Sequence, residues 1–147
     1  MDAADLDLRR LTYGLTVELG RAPTLAETAH RSGGSIEETL DGWRRLHDSH
    51  ALVLDPDLTE LRMVNPFAAR QTDFRVQAGG RSWYANCAWD AFGIGAALHV
   101  DSEFDTTCPD CGDPIHVNVS DARPDRSDVV FHVLVPAAQW WADIGYT

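Results

Sequence analysis

A chain of 147 residues, 44% hydrophobic and 24% charged, has the composition of one ordinary globular domain or of two small ones sharing a core. No apolar run approaches the ~18 residues of a membrane span, and Met1-Asp-Ala-Ala-Asp-Leu-Asp7 lacks the basic-then-apolar layout of a secretory signal, so the cytoplasm is the expected compartment. A formal charge of −11 disfavours broad binding to nucleic acid or to an anionic membrane, and three cysteines in a reducing compartment disfavour a disulfide framework.

The chain reads first as three helices and a hairpin. Leu8, Leu11, Leu15 and Leu19 recur at helical spacing, and Gly20-Arg-Ala-Pro23 ends that segment. Thr24-Leu-Ala-Glu27 has the capping-box pattern and opens a short second helix, with Leu25, Ala26 and Ala29 inward. Gly33-Gly34 breaks it, and Ser35-Ile-Glu-Glu38 supplies a second box for a third helix that turns Ile36, Leu40, Trp43 and Leu46 to one face. Two short apolar runs, Ala51–Leu54 and Leu61–Val64, flank a turn that begins at Asp55-Pro-Asp57. Three helices followed by a hairpin is the winged-helix order. The third helix mixes Arg44, Arg45 and His47 with Glu37, Glu38, Asp41 and Asp48, so a structural role for residues 1–66 outweighs DNA reading.

Asn65-Pro66 and the polar stretch to Asp73 connect to a second part, residues 67–147. Phe74–Val76 and Arg81–Tyr84 are strand-like around Gly79-Gly80, and a helix follows from Cys87 with Phe92, Ile94 and Leu98 on its apolar face. Gly93 and Gly95 predict that this helix is short or bent. Val100–Phe104 reads as extended, Ile115–Val119 as a half-buried strand, Val129–Val135 as a central strand and Ala137–Asp143 as a final helix after Pro136. The predicted fold is therefore α+β: a winged-helix-like helical module packed on a small mixed α/β core.

Cys87 and Asp90 lie three residues apart at a helix start and share a face among Trp83, Tyr84, Trp89 and Phe92. The helix N-terminus favours a thiolate, whereas an ionised Asp90 opposes it, so one proton is shared between them. A soft cation on the sulfur would release that proton and the acid could hold it. Burial of Cys87 as a small hydrophobe, with Asp90 as a first-turn dipole partner, is the competing reading.

Cys108-Pro-Asp-Cys111-Gly112 carries two thiols at chelating spacing. Zinc there needs four donors, and His99, His116, His132 and Cys87 have no telling spacing to complete the set. The pair could also bind a soft ion directly or relay one to Cys87. Each histidine is better read as structural. No GxSxG, P-loop or GxGxxG pattern supports a hydrolase, NTPase or dinucleotide enzyme.

Around Asn86-Cys87-Ala-Trp-Asp90-Ala91 the sequence resembles the alkylmercury lyase (organomercurial lyase) family. The resemblance extends over Arg62–Phe67, Gly80–Tyr84, Cys108–Gly112, Val133–Pro136 and Trp140–Asp143. It implies cleavage of carbon–mercury bonds to a hydrocarbon and Hg²⁺, with cellular thiols and no further cofactor. Cys87 matches the family's first catalytic cysteine and mercury ligand. Asp90 matches its aspartate, as proton carrier and second ligand. The family's second catalytic cysteine falls just beyond Thr147 and is absent from this sequence. The resemblance also implies that the winged-helix-like module is structural. Two outcomes follow: a lyase-type protein, or a thiol protein on the same scaffold that binds zinc, copper or mercury at Cys108, Cys111 and Cys87 without turnover.

Overall fold

A computed structural model describes residues 1–133 and 135–144. Helices α1 (Ala3–Leu19), α2 (Leu25–Ser32) and α3 (Ile36–Asp48) precede strands β1 (Val53–Leu54) and β2 (Leu61–Val64), which pair as an antiparallel hairpin. Both capping boxes form: the hydroxyls of Thr24 and Ser35 accept from the N–H groups of Glu27 and Glu38, whose carboxylates accept in return from the cap N–H groups. The Glu27 carboxyl is lowered to about 2, first by its bond with Arg21 and then by the Thr24 N–H. A depressed folded value stabilises above the unfolded value of 4.5 and is lost as pH falls towards 2. Glu27→Gln should therefore flatten the acid arm of the stability–pH curve in that window, as read by thermal melts.

Inward faces differ in part from the expectation. Leu15, Trp43 and Leu46 are buried, but Ile36 is 50% exposed and Ala26 is also on the surface. Ile36 is the first residue of α3, before the turns that meet α1. Threonines fill the gaps: Thr12, Thr16, Thr28 and Thr39 are buried, each hydroxyl donating to the carbonyl four residues earlier. Trp43 Nε1 donates in turn to Thr12 Oγ1 at 3.0 Å.

The hairpin continues into the second part of the chain. The connection after Asn65-Pro66 contains strand β3 (Phe67–Ala68), which pairs with β2 on one side and with β5 on the other. With β4 (Phe74–Ala78), β5 (Arg81–Ala85), β6 (Ser102–Thr107), β7 (Pro114–Ser120) and β8 (Arg123–Pro124), the order is β1-β2-β3-β5-β4-β6-β7-β8, antiparallel throughout. Two buried clusters make up the core. Trp43, Leu46, Leu52, Leu54 and Val64 form one; Phe67, Val76, Trp83, Ile94, Phe104 and Val117 belong to the other. Helix α1 ties them together, because Trp83 Nε1 donates to Thr16 O and Arg81 Nη1 donates to Val17 O at its C-terminus.

Helix α4 (Ala88–Leu98) lies across β4, β5 and β6 and runs unbroken through Gly93 and Gly95. These glycines permit close approach and do not end the helix. A Cβ on Gly95 would overlap the Ser102 Oγ and lie 2.8 Å from its Cβ and 3.2 Å from Val100 O; one on Gly93 would lie 3.1 Å from Pro66 Cβ. Gly95→Ala should lower stability by about 1–3 kcal/mol, measured by denaturant titration.

The expected strand over Val129–Val135 is not observed: residues 129–133 and 135 lie outside any strand, and Val130 is 90% exposed. Val-rich sequence needs a ladder partner, and the outer edge of β7 is taken by β8. The final helix is a 3-10 helix, Ala137–Ala142, after Pro136. Among the described residues no helix is long and apolar enough to cross a membrane.

Candidate active site

Strand β5 ends at Ala85, whose carbonyl accepts from Thr72 Oγ1 at 2.5 Å, and the chain turns at Asn86-Cys87 into α4. Cys87 is the N-cap, in extended conformation, and makes no side-chain capping bond. Its sulfur is left to face Asp90 on the first turn, with Sγ 3.8 Å from Oδ2. Asn86 Nδ2 donates to the same oxygen at 3.1 Å.

Burial pushes the Cys87 thiol above its ordinary value, against the Asp90 and Trp89 N–H groups that favour the thiolate. Burial likewise raises the Asp90 carboxyl, opposed by the Asn86 amide and by Cys87. Burial thus disfavours the ionised form of both groups, which stand 3.8 Å apart.

The pair opens into a cavity of about 290 Å³ with mainly apolar walls. Met63 and Asn65 contribute from β2 and its end; Trp89, Phe131, His132, Trp140 and Trp141 contribute from α4 and the C-terminal segment. Trp140 meets Trp89 edge-on at 6.3 Å between centroids, and Trp141 stacks on His50 at 4.0 Å and 6°. The last 3-10 helix is therefore held over Cys87 by one ring contact to α4 and another to the N-terminal helices' edge. A strongly apolar enclosure around one thiol and one carboxyl suits a soft, lipophilic electrophile.

The other expected residues are dispersed. Of the four aromatics around Cys87, only Trp89 lines the cavity: Trp83 is core, and Phe92 packs edge-on against Phe104 at 5.0 Å. Cys108 and Cys111 sit in the turn between β6 and β7 and do not line it. His99 caps the end of α4, and His116 on β7 bonds Asp105 at 2.7 Å and Asn118 at 3.3 Å. His132, expected on a strand, lies outside any strand but reaches the cavity wall. Among the described residues no group of three or more His, Cys, Asp or Glu side chains could hold a metal ion.

Asn86, Trp140 and Trp141 were not assigned to the site from sequence. For Asn86 a signal existed, since it stands one helical turn before Asp90. For the tryptophans there was none, because their approach depends on the path of the strandless segment before them.

The alkylmercury lyase family model matches residues 67–147, more than half of the chain and the part that holds Cys87 and Asp90. The chain belongs to the alkylmercury lyase family. No curated protein matches the chain. Among solved structures it is similar to the mercury-bound form of MerB2, with a TM-score of 0.64 and 19% identity over 86% of this chain. At that identity the likeness establishes the α+β fold of the family. The chain spans 60% of the length of that protein.

Proposed function

We propose that this member of the alkylmercury lyase family cleaves the carbon–mercury bond of organomercurials by protonolysis in the cytoplasm. Cys87 is the mercury-binding thiolate and Asp90 is the proton carrier and second ligand. The observation that carries the reading is the 3.8 Å approach of the Cys87 sulfur to the Asp90 carboxylate at the base of an aromatic-walled cavity. Family membership supplies the electrophile.

In cells an organomercurial R–Hg⁺ travels as its thiol adduct, R–Hg–SR′. Cys87 adds to mercury and its proton passes to the ionised Asp90, leaving R–Hg bound to both sulfurs. Two thiolates make the metal electron-rich and weaken its bond to carbon. Asp90 then delivers the proton to carbon: the C–Hg pair becomes the C–H bond, R–H leaves, and Hg²⁺ remains between Cys87 and SR′. A further thiol exchanges with Cys87 and frees it. In this scheme the substrate's own thiol serves as the second thiolate, which suits a cavity whose described lining includes one cysteine. Residues 1–66 act as scaffold, supplying Met63 and Asn65 to the wall, in keeping with their mixed charge.

Incubation with phenylmercury and excess monothiol, with benzene quantified in the headspace, tests the proposal. Release well above the thiol-only rate is expected. Release at the thiol-only rate would sink it.

A further inference from the structure

The turn between β6 and β7 has no part in that chemistry, yet it is built in detail around two sulfurs. Gly112 N–H donates to Cys108 O at 3.0 Å and Cys108 N–H donates to Asp113 O at 2.9 Å, so two backbone bonds close the loop. Gly112 has φ +77° with open space where a Cβ would be, so glycine is there for the backbone conformation. The two cysteines stand three positions apart in this closed turn, a spacing at which two thiolates can chelate one ion. Packing does not explain the pair: Cys111 is exposed, Cys108 is half-buried, and neither joins a buried cluster.

The donor set decides the ligand. A cation with tetrahedral or octahedral demands needs four or more donors, and among the described residues no group of three or more His, Cys, Asp or Glu side chains is gathered to hold one. A soft d¹⁰ ion that accepts two collinear or bent thiolates needs nothing more. We propose that Cys108 and Cys111 form a second soft-metal site, a surface dithiol that binds Hg²⁺ as a bis-thiolate outside the Cys87 cavity. Binding from a thiol-buffered ion is an exchange without redox change. Two S–Hg bonds to small thiols break, two to Cys108 and Cys111 form, and the cysteine protons leave on the released thiols. The second cysteine stands three positions from the first in the same closed turn, so closure is intramolecular, with an effective concentration of about mM or above. Only the supply of the ion by cleavage rests on the lyase reading. Binding is tested with Hg²⁺ itself, so the two can fail separately.

The experiment uses the full reduced chain carrying Cys87→Ser, one equivalent of HgCl₂ and excess glutathione, followed by gel filtration, mercury analysis and iodoacetamide mapping of each cysteine. Retention of about one Hg²⁺ per chain is expected, with Cys108 and Cys111 protected together and retention lost when either is also changed to serine. The unmutated chain provides a readout that no variant's folding can disturb: mercury should remove alkylation at both positions in equal proportion. Glutathione stripping the ion, protection of one cysteine alone, or full retention after either serine change would each overturn the site. Stoichiometric Zn²⁺ retention on the same two cysteines would overturn its assignment to a two-coordinate ion.

Discussion

Cys87→Ser is expected to reduce phenylmercury cleavage to the rate of thiol alone, a loss of roughly 10³-fold or more. Serine keeps the size and the N-cap position, and hydroxyls are good N-caps, so the helix should not suffer. What is lost is sulfur's affinity for mercury. The check is a time course of benzene release beside a thermal melt of the same preparation. A variant that folds as well as wild type and yet releases nothing isolates the sulfur. If it turns over normally, mercury is held elsewhere and the cavity assignment is wrong.

Asp90→Asn is expected to separate binding from cleavage. The amide can still accept from Asn86 Nδ2, so the geometry at the start of α4 should persist. Mercury should still reach Cys87, but no acid stands beside the carbon, and benzene release should fall by about 10²–10⁴-fold. Stability should move the other way. Asp90 has its folded pKa raised, chiefly by burial. Such a carboxyl favours the folded state most below its unfolded pKa, and that advantage is lost as pH rises through the folded value. At neutral pH a neutral amide should therefore raise the thermal midpoint relative to wild type. Slower chemistry with a higher midpoint is what a carboxyl kept for catalysis predicts. A lower midpoint would mean that the ionised group is structural.

Much of the scaffold was legible because local signals carried it. The boxes Thr24–Glu27 and Ser35–Glu38 fixed the starts of α2 and α3, and alternation around Gly79-Gly80 fixed the β4–β5 hairpin. The buried threonines were not legible, since a hydroxyl becomes a core group only when a particular carbonyl receives it. Gly93 and Gly95 misled for a related reason: helix propensity is local, whereas the approach of Pro66 and Ser102 is tertiary. Val129–Val135 had strand composition, but pairing belongs to two segments and composition to one.

The candidate site divides along the same line. Cys87 and Asp90 were readable from a three-residue spacing on one helix. The cavity was not, because its walls come from β2, α4 and the C-terminal segment, which only the folded chain brings together. Core packing is the better reading for at least two of the aromatics beside the pair, and Trp83 joins the core while Phe92 packs against it; Trp140 and Trp141 are distant in sequence and adjacent in space.

The most direct test is intact-protein mass spectrometry of the chain loaded with one equivalent of phenylmercury thiolate, followed over time. The predicted result is a phenylmercury adduct on Cys87 that loses the mass of its phenyl group while mercury stays bound, and that persists intact in Asp90→Asn. A phenylmercury adduct on Cys87 of the wild-type chain that stays whole, while benzene forms no faster than with thiol alone, would contradict it.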